Sequence, residues 1–132
     1  MTSRRKFRLK RTDAAALAAA VVLAVISLLP ASWMPVTVFA LVGGDKAAHI
    51  LAYMVLGTFA LYARRRFSTV FLTMISLLYF GGLIELLQED FGRTSDIADL
   101  AANGVGLGLA GITVAVWKTM RALPRTNPAH RA

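Results

Sequence analysis

Four apolar stretches, over about 14–33, 45–63, 67–88 and 96–117, take up most of this chain and limit what it can fold into. A helix needs about 20 predominantly apolar residues to cross ~30 Å of hydrocarbon, and each stretch comes near that length. The sequence therefore predicts an all-α, polytopic membrane protein: a four-transmembrane-helix bundle over residues 13–118. A basic cytoplasmic tail is expected at 1–12, and a second, disordered one at 119–132 with Pro124 and Pro128. The composition agrees, with 57% hydrophobic residues and a mean hydropathy of +0.60, above a typical soluble domain. The absence of cysteine excludes disulfides, thiolate metal sites and a cysteine nucleophile.

The placement of charge orients the bundle. Arg4, Arg5, Lys6, Arg8, Lys10 and Arg11 precede the first stretch, Arg64-Arg65-Arg66 separate the second from the third, and Lys118, Arg121, Arg125 and Arg131 follow the last. Only Lys46 and Arg93 fall at the alternate ends, together with Asp45, Glu85, Glu89, Asp90, Asp96 and Asp99. By the positive-inside rule both termini face the cytoplasm and the acidic ends face out. A net charge of +8 in a soluble chain would suggest nucleic acid. Here the basic residues lie in tails and a short turn without a folded reading element, so no nucleic-acid partner is expected and the bilayer is the partner. The expected localisation is the cell membrane, multi-pass.

Along the chain, Thr12-Asp13 are read as a cap for the first helix, which Pro30 ends or kinks before Trp33. A basic segment followed by an apolar run also fits a cleaved signal peptide. No convincing small-x-small cleavage site follows the run, and charge alternation favours a retained helix. Residues 30–44 read as an interfacial loop with Trp33 in the outer headgroup belt. Gly43-Gly44 should turn the chain sharply into the second helix. Gly81-Gly82 should allow a neighbour close approach, and the Gly104/Gly108 spacing matches small-xxx-small helix packing.

Against this apolar background the polar residues stand out. Asp45, His49 and Tyr53 lie at i, i+4 and i+8, one stripe descending the second helix, with Lys46 at its mouth. Glu85 and Gln88 share a face near the end of the third helix. Glu89 and Asp90 read as solvated charges of the turn. Asp96, Asp99, Asn103 and Gly106 step down one stripe of the fourth helix, Asp96 doubling as an N-cap. Asp45 and Lys46 also have ordinary readings, as an N-cap and as a snorkelling lysine. Unpartnered ionisable groups cost several kcal/mol in hydrocarbon, and interhelical polar contacts contribute well under about 1 kcal/mol on average. So many of them are a poor way to hold helices together, and the set reads as a site.

Asp45-Lys46-x-x-His49-x-x-x-Tyr53, Gly81 or Gly82 leading to Glu85-x-x-Gln88, then Arg93, Asp99, Asn103 and Gly106 together resemble the VanZ family of small membrane proteins. The resemblance covers roughly residues 45–111. One departure is that the family often has a proline before its Gly-Arg pair, where this chain has Phe91-Gly92-Arg93. The first helix and the tails carry no signature. The resemblance implies that Asp45, Lys46, His49, Glu85, Gln88, Arg93, Asp99 and Asn103 form the functional set. It also implies a link to the glycopeptide teicoplanin, to which the namesake is associated with low-level resistance.

Three functions remain open from the residues. The first is binding or modulation of a cell-envelope ligand, lipid-linked or peptidoglycan-related, with Lys46 and Arg93 contacting a phosphate or carboxylate. The second is an outer-leaflet hydrolase or transferase on a polyprenyl-phosphate-type substrate, with His49, Glu85 and Asp99 as catalytic candidates. In one version of it, His49 and Glu85 join Asp96 and Asp99 around a hard divalent cation. No established metal-ligand spacing is present, and no residue is assigned as a metal ligand. The third is proton-coupled transport, disfavoured by four helices without a broken-helix repeat. Neither a cofactor nor an oligomeric state follows from the residues.

Overall fold

The computed structural model describes residues 11–33, 37, 43–92, 94 and 96–123. Arg93, Ser95, most of the loop after Trp33 and both distal tails lie outside the described residues, and the expectations placed on them stay there. Among the described residues the long helices are α1 (Arg11–Ser27), α2 (Asp45–Tyr62), α3 (Phe67–Gln88) and α4 (Ile97–Ala122), with short 3-10 turns at Ala31–Trp33 and Glu89–Phe91. The described residues contain no strand. Among the described residues two segments, Phe67–Phe91 and Ile97–Ala122, are long and apolar enough to cross a membrane.

The helix bounds depart from the sequence expectation at three places. The helical run of α1 stops at Ser27 instead of continuing to Trp33, and Ala31–Trp33 forms a separate 3-10 turn. Pro30 has no N–H to donate and disfavours helical backbone in the residue before it, so the break falls ahead of the proline. Thr12 and Asp13 lie inside α1, and Asp13 accepts a 2.9 Å ion-paired hydrogen bond from Arg64 instead of capping. At the other end α4 runs through Ala122, five residues beyond Trp117. Arg121 stacks 4.5 Å over the Trp117 ring one turn earlier, and Leu123, just before Pro124, adopts extended backbone. Part of the stretch expected to be a disordered tail is therefore helix.

The centre of the bundle is the α2–α4 pair, the most extensive helix contact, with α1 on α2 and α3 on α4 as flanks. Small residues make that closeness possible. A Cβ on Gly57 would lie 2.8 Å from Ala110 Cβ, and one on Gly106 would lie 3.0 Å from Tyr53 Cβ and from the Met54 backbone nitrogen. Helices without a side chain at the crossing bring their backbones together, which maximises dispersion contact between them. Gly108 and Gly111 have nothing within 4 Å, and Gly104 meets only Leu78 at 3.8 Å. The tight stripe is thus Ala102-Gly106-Ala110, and the Gly104/Gly108 pair does not supply it. Leu56, Leu61, Leu107 and Val114 fill the core beside it.

Polar staples at both ends show that the helices alternate in direction. At one end Gln88 of α3 donates to the Ser27 carbonyl closing α1 at 3.0 Å, and Lys46 of α2 meets Asp96 ahead of α4 at 2.9 Å. At the other end Arg64 meets Asp13, and Lys118 donates to the carbonyls of Leu61 and Arg64. Among the described residues the first end carries Asp45, Glu85, Glu89, Asp90, Asp96 and Asp99 with Lys46, and the second carries Arg64, Arg65, Arg66, Lys118 and Arg121 with Asp13. Between them, large apolar side chains such as Val21, Phe71, Leu72 and Ile112 are exposed on the outside of the bundle.

Candidate functional site

Gly43 and Gly44 lead into α2 with φ of 93° and 102°, a region that side chains rarely adopt, and they set the first turn of α2 facing α4. Gly44 occupies the cap position and Asp45 is the first helical residue, so the capping role considered for Asp45 falls away. On the other side, Glu89–Phe91 and the left-handed Gly92 (φ 73°) turn the chain from α3 towards α4. Glu89 and Asp90 are exposed on this turn, as expected of solvated charges. Asp96 accepts a hydrogen bond from the Ala98 backbone N–H at 2.8 Å and caps α4 as its sequence position suggested.

The two stripes read from the sequence meet here. Lys46 Nζ bridges Asp96 Oδ2 at 2.9 Å and Asp99 Oδ1 at 3.3 Å, so one ammonium joins the start of α2 to the start of α4. The ammonium beside it, followed by the Ala98 N–H, holds the Asp96 carboxyl below the usual carboxylate range. One turn deeper, His49 Nδ1 lies 3.0 Å from Asn103 Oδ1 and 3.6 Å from Glu85 Oε1. An amide oxygen only accepts, so this contact requires the hydrogen on Nδ1. His49 Nε2 faces Asp99 Oδ2 at 3.9 Å and Asp45 Oδ1 at 3.8 Å. Asp45, His49 and Asp99 converge so that one donor atom from each lies within 4.8 Å of the others.

The floor of the site is buried polar surface. Glu85, Gln88, Asp99 and Asn103 are each at most 4% exposed. Gln88 is spent on the Ser27 carbonyl, which makes it a fastener of α1 to α3 and sets it apart from the contacts around His49. Glu85 differs: neither carboxylate oxygen accepts a hydrogen bond of normal geometry. The groups facing it are the His49 ring, Asp99, Asp45 and the Asp96 backbone. Tyr53 lies at the bottom of the stripe with its hydroxyl also lacking a hydrogen-bond partner. Gly81 leaves room for it, since a Cβ there would come within 2.7 Å of the Tyr53 oxygen and 2.8 Å of Asn103 Nδ2. Of the close approach expected at Gly81-Gly82, Gly81 supplies it, whereas a Cβ on Gly82 would meet only Leu100 at 3.8 Å.

An apolar groove of about 570 Å3 lies between α3 and α4 beside this cluster, with Leu78, Gly82 and Leu100 on its walls and Glu85 and Asp96 on its polar side. Sequence reasoning missed it. Its walls are ordinary membrane-helix residues, and only the separation of two helices makes them a groove. The carbonyl of Ser27 was missed for the same reason, as a backbone atom carries no side-chain signature. Of the candidates, Asp45, Lys46, His49, Tyr53, Glu85, Asp96, Asp99 and Asn103 come together, Gln88 is diverted to Ser27, and Arg93 lies outside the described residues. Comparison of the chain with family models, curated proteins and solved structures returned no match.

Proposed function

We propose that this chain is a VanZ-like integral membrane protein whose four helices all span the bilayer, with both termini cytoplasmic. Its outward-facing polar site then binds or modulates an amphipathic cell-envelope ligand, lipid-linked or peptidoglycan-related, and resistance to glycopeptides such as teicoplanin is the corresponding phenotype. The orientation is supported by the separation of the basic end (Arg64, Arg65, Arg66, Lys118, Arg121) from the acidic one. The apolar perimeter supports the spanning of all four helices, because exposed surface of that extent is costly in water and ordinary in lipid.

The observation that carries the ligand reading is the apolar groove leading to Glu85 and Asp96, next to the His49–Asn103–Asp99 cluster. Pockets that bind amphipathic molecules combine an apolar wall with a few convergent polar groups. Here a hydrocarbon chain would lie between α3 and α4, and a polar head would reach Lys46. That ammonium is 57% exposed while held by Asp96 and Asp99, so it retains a free N–H for a phosphate or carboxylate oxygen.

The test compares lipid-linked envelope precursors and teicoplanin susceptibility in cells with the wild-type chain, Asp99→Asn, or no protein. A photoactivatable polyprenyl phosphate added to membranes reads binding directly. The reading expects a precursor and susceptibility change with the wild type only, and crosslinks within α3 and α4. Identical profiles in all three strains, with no crosslink, would overturn it. Conversion of the bound lipid to product would shift the reading to an outer-leaflet enzyme acting through His49, Glu85 and Asp99.

A further inference from the structure

The basic end of the bundle holds a pocket of its own, away from the cluster around His49. It has a volume of about 630 Å3 and lies where the start of α1, the end of α2 and the end of α4 meet. Arg65, Lys118 and Arg121 bring three cations to its wall, and Tyr62 and Trp117 bring two aromatic rings. Among the described residues no carboxylate lines it, and Asp13 at this end is taken by Arg64 at 2.9 Å. Like charges gathered around one hollow repel each other, and an anion placed among them relieves that repulsion.

The cations are also held in place. Lys118 Nζ donates to the carbonyls of Leu61, at 3.4 Å, and of Arg64. These carbonyls carry the partial negative charge of the α2 C terminus, which would repel an anion; the ammonium offsets it and keeps a third N–H. The Arg121 guanidinium stacks 4.5 Å over the Trp117 ring, which fixes its plane and leaves its N–H edge to meet two oxygens of one phosphate. A second observation concerns shape. A narrower cleft of about 270 Å3 has Phe67 and Val70 of α3 on one side and Gly111 and Val114 of α4 on the other. Gly111 has nothing within 4 Å, so its missing side chain keeps the cleft open. Arg65 and Lys118 line this cleft as well as the pocket, so the same two cations border an apolar space and a basic one. A soluble anion would use only the pocket, whereas a lipid with an anionic head fits both.

We propose that the basic pocket seats the phosphodiester head of an anionic glycerophospholipid, with one acyl chain entering the cleft beside Gly111. Arg121 and Arg65 hold the phosphate oxygens, and Lys118 adds its remaining N–H. A zwitterionic lipid is disfavoured because its ammonium would face the same three cations. The inference rests on the reading that the helices span the bilayer; it is independent of the envelope ligand proposed for the opposite end.

The chain has two tryptophans, so Trp33→Phe leaves Trp117 as the single fluorophore, inside the pocket. The full-length chain carrying that change is placed in phosphatidylcholine vesicles containing brominated-chain phosphatidylglycerol or, at equal mole fraction, brominated phosphatidylcholine. Unbrominated vesicles correct each variant for its own emission. Phosphatidylglycerol should quench Trp117 as though enriched about tenfold or more. Arg65→Gln with Arg121→Gln should abolish the preference, and Arg65→Lys with Arg121→Lys should regain it. Arg11→Gln with Arg66→Gln removes the same charge outside the pocket and should leave the preference intact. Gly111→Leu, which fills the cleft, should lower it severalfold. Equal quenching by the two lipids, equal loss in the Arg65/Arg121 and Arg11/Arg66 pairs, or displacement of the lipid by inorganic phosphate at matching concentration would overturn the proposal. A chain released from the vesicles by alkaline carbonate would overturn the spanning reading and this inference with it. A chain that resists the wash and shows no preference would overturn this inference alone.

Discussion

His49 of α2 and Asn103 of α4 meet side chain to side chain, Nδ1 to Oδ1 at 3.0 Å, across 54 residues of sequence. The contact couples the tightest helix pair of the bundle to the one ring on which the candidate site turns. An interhelical hydrogen bond of this kind contributes on average about 0.6 kcal/mol in a membrane protein. A double-mutant cycle of His49→Ala and Asn103→Ala, read by unfolding in detergent, should give a coupling of about 0.5–1.5 kcal/mol. A coupling near zero would mean that the two residues do not share the bond.

The α2–α4 crossing makes a sharper prediction. In Gly106→Ala the new methyl meets backbone of Ile50 and Met54, which cannot swing away as a side-chain tip can. The helices must separate, at a cost of about 1–3 kcal/mol. Gly108→Ala, two residues away with nothing within 4 Å, should be neutral or up to about 1 kcal/mol more stable through helix propensity. Equal melting of the two variants would show that Gly106 is not the contact point.

Asp96 predicts an acid dependence. Its carboxyl is held below the ordinary 3.8, first by Lys46 and then by the Ala98 N–H, so the folded chain releases that proton more readily than the unfolded one. The contribution is therefore fully present above pH 3.8 and is lost as pH falls through the lowered folded value. Thermal unfolding of wild type and Asp96→Asn should differ at pH 7 and converge as the medium is acidified below that value. Parallel curves down to the lowest pH would contradict this assignment.

Gly82 lines the groove, and a Cβ there meets only Leu100 Cδ1 at 3.8 Å, so a larger residue has space to enter. Gly82→Leu should fold as the wild type does while occupying the space proposed for a hydrocarbon chain. Capture of the photoactivatable polyprenyl phosphate should drop about tenfold or more, equivalent to about 1.4 kcal/mol. Undiminished capture would place the chain of the lipid elsewhere.

Most of the residues that converge in the candidate site could be picked out in the sequence because ionisable residues are conspicuous among apolar ones and helical spacing assigns them to faces. Asp45, His49 and Tyr53 could be put on one stripe, and Asp96, Asp99 and Asn103 on another, without coordinates. Gln88 shows the limit of that reasoning. It shares a face with Glu85, yet its amide is drawn to the Ser27 carbonyl, an acceptor exposed because α1 stops before Pro30. The glycines show it again: sequence spacing favoured Gly104 and Gly108, whereas contact falls at Gly106 and Gly57.

What the sequence determined by itself was the set of helices, the acidic and basic ends, and which residues lie on common faces. Those depend on chain-local quantities: hydropathy over about 20 residues, charge between apolar runs, and a period of 3.6. The tertiary structure decided which faces meet. The close α2–α4 crossing directs His49 Nε2 between two carboxylates, while the packing of α3 brings Glu85 behind the ring and opens a groove between α3 and α4. Rotation and separation of helices depend on side-chain volumes at the contact, here the missing side chains of Gly57 and Gly106. No local pattern specifies them, because the neighbours that test each volume come from distant parts of the chain.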